Sequence, residues 1–219
     1  MESAELLGAW RELVDTARRA AAEGLVVGTS GNLSVRVGET VLVTPSGLAC
    51  DRLGDAELCA VDLEGRRAAG NLSPTSELPM HLAVYRHTEA RAVVHTHAVH
   101  ATAVSTLVRE VPAVHYITAE LGGPVRVAPY AMFGSDELAA HVRAALDGRR
   151  ACLLQNHGTV AYGENLAQAY DRTAQLEWMC RVWLAASSLP GRTPSLIPDG
   201  ELARVEEKFR GHGQRPTGR

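Results

Sequence analysis

The segment Val93-Val94-His95-Thr96-His97 constrains this chain more than any other. It is an apolar run that ends in two histidines two positions apart. Side chains alternate faces along a strand, so residues i and i+2 point the same way. A strand over 91–97 therefore sends both imidazoles from one face, the spacing needed to grip one cation. A third histidine, His157, follows the apolar run Leu153-Leu154-Gln155-Asn156, and an acid, Glu77, closes Pro74-Thr75-Ser76-Glu77. Three imidazole nitrogens, an open coordination position and a carboxylate are the parts of a catalytic metal site. The fold must then bring positions 77, 95, 97 and 157 to one place.

Each of these residues has a plainer reading on its own. An isolated His-x-His is more often a hydrogen-bonded strand end. His157 could cap a strand, and Glu77 could complement the dipole of a helix that starts there. The set, rather than any member, points to metal. His100 would extend the pattern to His-x-His-x-x-His, but a helix starting near 98 turns it off the strand face, so it is expected to play a supporting role. His81, His87 and His141 have no such partners and default to structural or surface positions. His115 and His212 are left open.

Helical periodicity runs from about 4 to 23 through Leu6, Leu7, Trp10, Leu13, Val14 and Ala17, with Gly24 as its stop. Residues 33–37 and 40–44 alternate around Gly38-Glu39 and read as a hairpin. A strand is expected over 58–63 and a helix over 76–87, with Pro79 in its first turn, where a missing N–H costs little. Further helices are expected over 98–109, from Ser135 onward with Ser135 as N-cap, over 164–188 and over 199–210. Segments 113–117 and 124–128 read as extended, and 151–155 as a buried strand. The last helix stops at Gly211, and 214–219 form a frayed polar tail. Strands mixed with helices throughout give one layered α/β domain spanning 1–219.

Composition removes several function classes. The formal net charge of −3 leaves no basic footprint for nucleic acid. No run approaches a membrane span, and the acidic start carries no apolar signal core. The cysteines Cys50, Cys59, Cys152 and Cys180 show no CxxC spacing and no small-disulfide framework, as expected of reduced thiols in a cytoplasmic protein. Lys208 is the one lysine, in the last helix, so chemistry through a lysine Schiff base is excluded.

Three loops rich in Gly, Ser and Thr remain: Gly28-Thr29-Ser30-Gly31-Asn32, Thr44-Pro45-Ser46-Gly47 and Pro74-Thr75-Ser76. Singly each is an ordinary turn. Together they suggest amides and hydroxyls converging on an anion, helped by a helix start at Ser76. None matches a nucleotide P-loop.

In this order, and with His95-Thr96-His97-Ala98-Val99-His100, His115-Tyr116-Ile117, Ala128-Pro129-Tyr130, Phe133-Gly134 and His157-Gly158, the chain resembles the class II aldolase/adducin family from about residue 5 to 212. The likeness is nearest to the branch acting on L-fuculose 1-phosphate. It implies a three-layer α/β/α fold with a mixed, mostly antiparallel central sheet. It implies one Zn2+ per subunit, or another divalent metal, on His95, His97 and His157. Glu77 would be the acid/base, within reach of the resting metal. Gly31, Asn32, Ser46, Gly47, Thr75 and Ser76 would hold the phosphate of a sugar substrate. Tyr116 would reach into a neighbouring subunit of a homotetramer with active sites at its interfaces. The branch carries a C-terminal tyrosine where this chain has His212, in the part that meets the variable aldehyde half, whereas the phosphate loops differ only by Ser/Thr exchanges.

The activity this implies is reversible cleavage of a ketose 1-phosphate, fuculose 1-phosphate or a 5-deoxypentulose 1-phosphate, to dihydroxyacetone phosphate and an aldehyde. Such a task wants Glu77 with a pKa nearer neutrality than a free glutamate. Within the family the rivals are a pentulose-phosphate 4-epimerase, which usually carries Ser-Asp in place of Ser76-Glu77, and a methylthioribulose-1-phosphate dehydratase. From another class, an adducin-like binding module uses the same fold without catalysis.

Overall fold

The computed structural model describes residues 2–210. In chain order the elements are α1 (Glu2–Ala22), β1 (Asn32–Val37), β2 (Thr40–Val43), β3 (Ala60–Asp62), β4 (Arg67–Ala69), α2 (Leu78–His87), β5 (Ala92–Thr96), α3 (Val99–Ser105), β6 (Glu110–Val111), β7 (Val125–Ala128), α4 (Asp136–Ala145), β8 (Ala151–Leu154), β9 (Gly158–Gly163), α5 (Leu166–Ser187) and α6 (Asp199–Arg210). The strands form one sheet in the order β4-β3-β2-β1-β5-β9-β8-β7-β6. Every pairing is antiparallel except β7 with β8. The sheet is therefore mixed and mostly antiparallel, as expected.

The central strands are apolar on both faces, and their alternation separates two cores. Ala92 and Val94 of β5, Leu153 of β8 and Ala161 of β9 pack with Trp10 and Leu13 of α1, Val104 of α3 and Leu176 and Met179 of α5. Val93, Cys152, Leu154, Val160 and Tyr162 face the other way, onto Met80 and Val84 of α2 and Leu138 and Val142 of α4. A sheet buried on both faces needs helices on both, which is the three-layer arrangement. Cys50, Cys59, Cys152 and Cys180 are all free and buried. No helix among the described residues is long and apolar enough to cross a membrane.

Several local expectations need correction. Residues 113–117 do not form a strand; Tyr116–Leu121 is a 3-10 helix. The His115 ring accepts the Ile117 N–H at 3.3 Å and starts the turn, and Gly122 at φ 86° ends it. The helix expected to reach 109 stops at Ser105, because residues 106–109 double back to β7, where the Val127 N–H meets the Arg109 carbonyl at 2.8 Å. The helix expected from Ser76 starts at Leu78, with Glu77 as its N-cap residue. Ser135 caps α4 as expected, accepting the Leu138 N–H at 3.1 Å. Strands β4, β6 and β9 had no counterpart in the sequence reading. Residues 211–219, with Gly211, His212 and the expected tail, lie outside the described residues.

Candidate active site

β5 lies between β1 and β9, and the registers place Asn32 opposite His95 on one side and Val160 opposite it on the other. His95 thus sits near the carboxyl end of a central strand, with His97 just beyond it. His157 occupies the turn between β8 and β9. Asn156 before it holds a left-handed backbone, φ 56°, which asparagine tolerates better than most residues. Because β9 runs antiparallel to β5, that turn folds back over the end of β5. Glu77 arrives from the start of α2, which packs on the same face of the sheet as Val93.

One ligand atom from each of Glu77, His95, His97 and His157 lies within 4.8 Å of the others. The three imidazole centroids are 4.7 to 4.9 Å apart, with rings steeply inclined to one another. His95 Nδ1 donates to the Thr159 carbonyl at 2.8 Å, which leaves the Nε2 lone pair directed at the cluster. That Nε2 is 3.0 Å from His97 Nε2 and 2.9 Å from Glu77 Oε2. His157 Nε2 is 3.4 Å from Glu77 Oε1, which is buried and has no hydrogen-bond partner. Crowded nitrogen lone pairs, an orphaned carboxylate oxygen and near-complete burial of His95 and Glu77 fit a divalent cation.

The electrostatics agree with that fit. Burial, helped by neighbouring His95, pushes the His97 and His157 imidazoles down to about 4, so both are neutral and ligand-competent at ordinary pH. For Glu77 burial pushes the carboxyl up. Its close neighbours His95, the Asn32 amide and His157 outweigh it and hold the group well below the usual carboxylate range. This is the opposite direction from the near-neutral value that proton transfer at carbon wants.

The loops expected to bind an anion are stitched together. Pro45 and Pro74 form an isolated bridge, the Thr75 N–H meets the Thr44 carbonyl at 3.1 Å, and the Ser46 N–H meets the Ser73 carbonyl at 3.0 Å. The Thr44 N–H in turn meets the Leu33 carbonyl at 3.0 Å, which fixes this pair of loops against the start of β1, next to Gly31 and Asn32. Ser46, Gly47 and Ser76 face solvent, whereas Thr75 is buried and its hydroxyl accepts the Glu77 N–H at 3.2 Å. Gly31 has no room for a side chain: a Cβ there would lie 2.5 Å from Val26 Cγ1. The Asn32 amide is turned inward, with Nδ2 donating to Glu77 Oε2 at 3.0 Å and Oδ1 2.6 Å from His81 Nε2.

Tyr116 stands apart from the cluster. It is half exposed, with its ring against His115 and Phe209. His100 is held by Glu177, 2.6 Å from its Nδ1, and does not join the other histidines. His81, expected only in a structural or surface position, is fully buried directly behind Asn32, a partner the expectation lacked. Its signal was present: Glu77, His81 and Tyr85 recur every four residues and so form one stripe along α2.

Comparison with known proteins places this geometry. The family model described as Class II Aldolase and Adducin N-terminal domain matches residues 11–184. The chain is 41% identical to an L-fuculose phosphate aldolase of Escherichia coli K12 over 207 residues, 94% of this chain and 95% of that protein. It is 39% identical to a 5-methylthioribulose-1-phosphate/5-deoxyribulose-1-phosphate aldolase of Rhodospirillum rubrum, over 92% of this chain and 90% of that one. A solved L-fuculose 1-phosphate aldolase superimposes with a TM-score of 0.89 at 33% identity, covering 93% of this chain and 96% of its own. The chain therefore belongs to the class II aldolase/adducin family, and its likeness runs to the aldolases, which are lyases.

Proposed function

We propose that this protein is a metal-dependent aldolase that cleaves a ketose 1-phosphate reversibly to dihydroxyacetone phosphate and an aldehyde. The observation that carries the reading is the cluster of Glu77, His95, His97 and His157 beside the three stitched loops. His95, His97 and His157 would hold one divalent cation, with Zn2+ favoured by the nitrogen-rich donor set. When bound, such a cation supplies a Lewis acid for the substrate carbonyl.

The remaining work falls to the chain. Gly31, Asn32, Ser46, Gly47, Thr75 and Ser76 bind the phosphate through amides and hydroxyls. That anchor sets the sugar so that its C3 lies by Glu77. A proton leaves the C4 hydroxyl, the C3–C4 bond breaks, the aldehyde departs with C4, and the electron pair stays on the dihydroxyacetone phosphate half. Glu77 then delivers a proton to C3, and in the synthetic direction it removes that proton. Substrate that separates Glu77 from the imidazoles removes part of what holds its carboxyl down, while the Asn32 hydrogen bond stays.

Tyr116 is assigned the C4 hydroxyl proton, in the site of a neighbouring subunit. Two facts support a homotetramer with shared sites. Tyr116 is half exposed, and its ring neighbours are His115 and Phe209. Tyr130, Met132 and Phe133, each about 60% exposed, form an apolar surface next to Gly134, which abuts Ser76. Four buried thiols without a disulfide support a cytoplasmic protein.

Two substrates stand level, fuculose 1-phosphate and 5-deoxyribulose 1-phosphate, because relatives named for each are almost equally similar. A panel of ketose 1-phosphates, assayed for dihydroxyacetone phosphate with and without added zinc, tests the reading. Loss of water with the carbon chain intact would show a dehydratase instead, epimerisation without net cleavage an epimerase, and metal-independent inertness on every sugar phosphate a binding module.

A further inference from the structure

One face of α2 and one face of β1 interlock behind the active site. Four residues of helix rise about 6 Å, and two residues of strand about 6.6 Å, so the two stripes keep step. Glu77, His81 and Tyr85 of the helix therefore mesh with Asn32 and Ser34 of the strand. The contacts are Asn32 Nδ2 to Glu77 Oε2 at 3.0 Å and His81 Nε2 to Asn32 Oδ1 at 2.6 Å. Ser34 Oγ lies 2.7 Å from His81 Nδ1 and 2.7 Å from the Tyr85 hydroxyl. His81 and Ser34 are completely buried, so no water competes.

The direction of every bond in this chain follows from its ends. A carboxylate only accepts, so Asn32 must turn its NH2 toward Glu77 and its carbonyl oxygen toward His81. That oxygen only accepts, so His81 carries its hydrogen on Nε2. A buried neutral imidazole has one N–H, so Nδ1 must accept, and Ser34 donates to it. Tyr85 in turn donates to Ser34. The alternative tautomer would pull the Asn32 amide round and set its oxygen against the Glu77 carboxylate.

We propose that Ser34 and His81 act as a tautomer lock that positions the Asn32 amide, so that Asn32 holds Glu77 Oε2 and leaves Oε1 as the oxygen that exchanges the proton with substrate. The orphaned state of Oε1 agrees with this division of labour. His81 is a positioning residue: it is not among His95, His97 and His157, and it acts on Glu77 through Asn32. The assignment rests on Glu77 being the acid/base, but its first test does not.

The test uses the full metal-loaded protein. Nitrogen-15 NMR of the histidine rings should show His81 as the Nε2–H tautomer. Glutamine and methionine have nearly the same shape, and only glutamine can donate to Asn32 Oδ1. His81→Gln should therefore keep the Asn32 side-chain amide signal in place and retain most of kcat. His81→Met should shift that signal and lower kcat about 10- to 100-fold, the scale of a lost hydrogen bond to a charged group, with metal content unchanged. Ser34→Ala, a smaller change, should lower kcat in the same direction. An Nδ1–H tautomer in the unmodified protein, or Gln and Met variants that behave alike, overturns the proposal. If no ketose phosphate is turned over, while the tautomer and the amide signals come out as stated, the lock stands and only the aldolase reading falls.

Discussion

Gly158 presses on the backbone of Thr96 so closely that a Cβ at 158 would lie 2.0 Å from the Thr96 carbonyl oxygen. The contact sits between segments that carry metal-ligand candidates, His157 on one and His95 and His97 on the other. Its angle is not the reason for glycine, since Gly158 lacks a left-handed backbone; the reason is space. Gly158→Ala should force β9 away from β5 and carry His157 with it. The expected result is at least a tenfold weaker metal affinity by calorimetric titration, together with a stability loss of about 1–3 kcal/mol, the usual cost of overpacking. Unaltered metal binding would show that the hairpin absorbs the strain elsewhere.

Glu77→Gln removes the titratable group and keeps its shape. Asn32 can still bond one end of the amide, and the three imidazoles remain. Metal content should therefore stay near one per subunit, while release of dihydroxyacetone phosphate falls by about 100-fold or more, the upper part of the range for general acid–base catalysis. A nearly unchanged rate would remove Glu77 from the chemistry.

Acid should destabilise the metal-free protein before ordinary carboxylates titrate. His97 and His157 are pushed down to about 4 from 6.5. Between those values the unfolded chain binds protons that the folded one refuses, so stability falls as pH drops through that window. Glu77, held low in the fold, adds a loss in the same direction below about 4.5, its unfolded value. Urea titrations of chelated protein at pH 7, 6, 5 and 4 read the slope, and His97→Gln should flatten it.

The proposal that Tyr116 serves a neighbour's site can be tested by mixing variants. Glu77→Gln lacks the acid/base at its own cluster, and Tyr116→Phe lacks the hydroxyl it would lend to a neighbour. Each homo-oligomer should be nearly inactive. Hybrids refolded or co-expressed together should regain a measurable fraction of activity, because some sites combine an intact Glu77 with an intact Tyr116. No recovery in hybrids shown to form by mass spectrometry would place Tyr116 outside the neighbour's site.

Chelation should abolish turnover, and zinc should restore it. The informative control is stability: a cation held by His95, His97 and His157 would join β5 to the β8–β9 turn only in the folded chain, so its removal should lower Tm as well as activity. An unchanged Tm would mean that the cation does not join these elements.

Much of the site was legible because its parts obey local periods. Val93 to His97 alternates, so the strand and the shared face of His95 and His97 follow from residue order alone. Ser135 with Asp136 and Glu137 marks a helix start by capping chemistry. Where a neighbour decides the conformation, the reading failed. Residues 113–117 look extended by composition, but the His115 ring captures the Ile117 N–H and folds the next residues into a 3-10 turn. β9 was overlooked although Thr159, Val160 and Tyr162 favour strands; its place between β5 and β8 supplies the pairing on both edges.

Residue order alone determined that His95 and His97 share one strand face and that three Gly/Ser/Thr-rich loops could meet an anion, since each depends on spacings of a few residues. It could not determine that His81 backs Asn32, that Asn32 faces inward onto Glu77, or that His157 folds over the end of β5. Those facts depend on which strand lies beside which, and on a helix and a strand whose repeats match only when packed together. Such choices are made by burial across the whole sheet, where contacts join residues dozens of positions apart, and no local period records them.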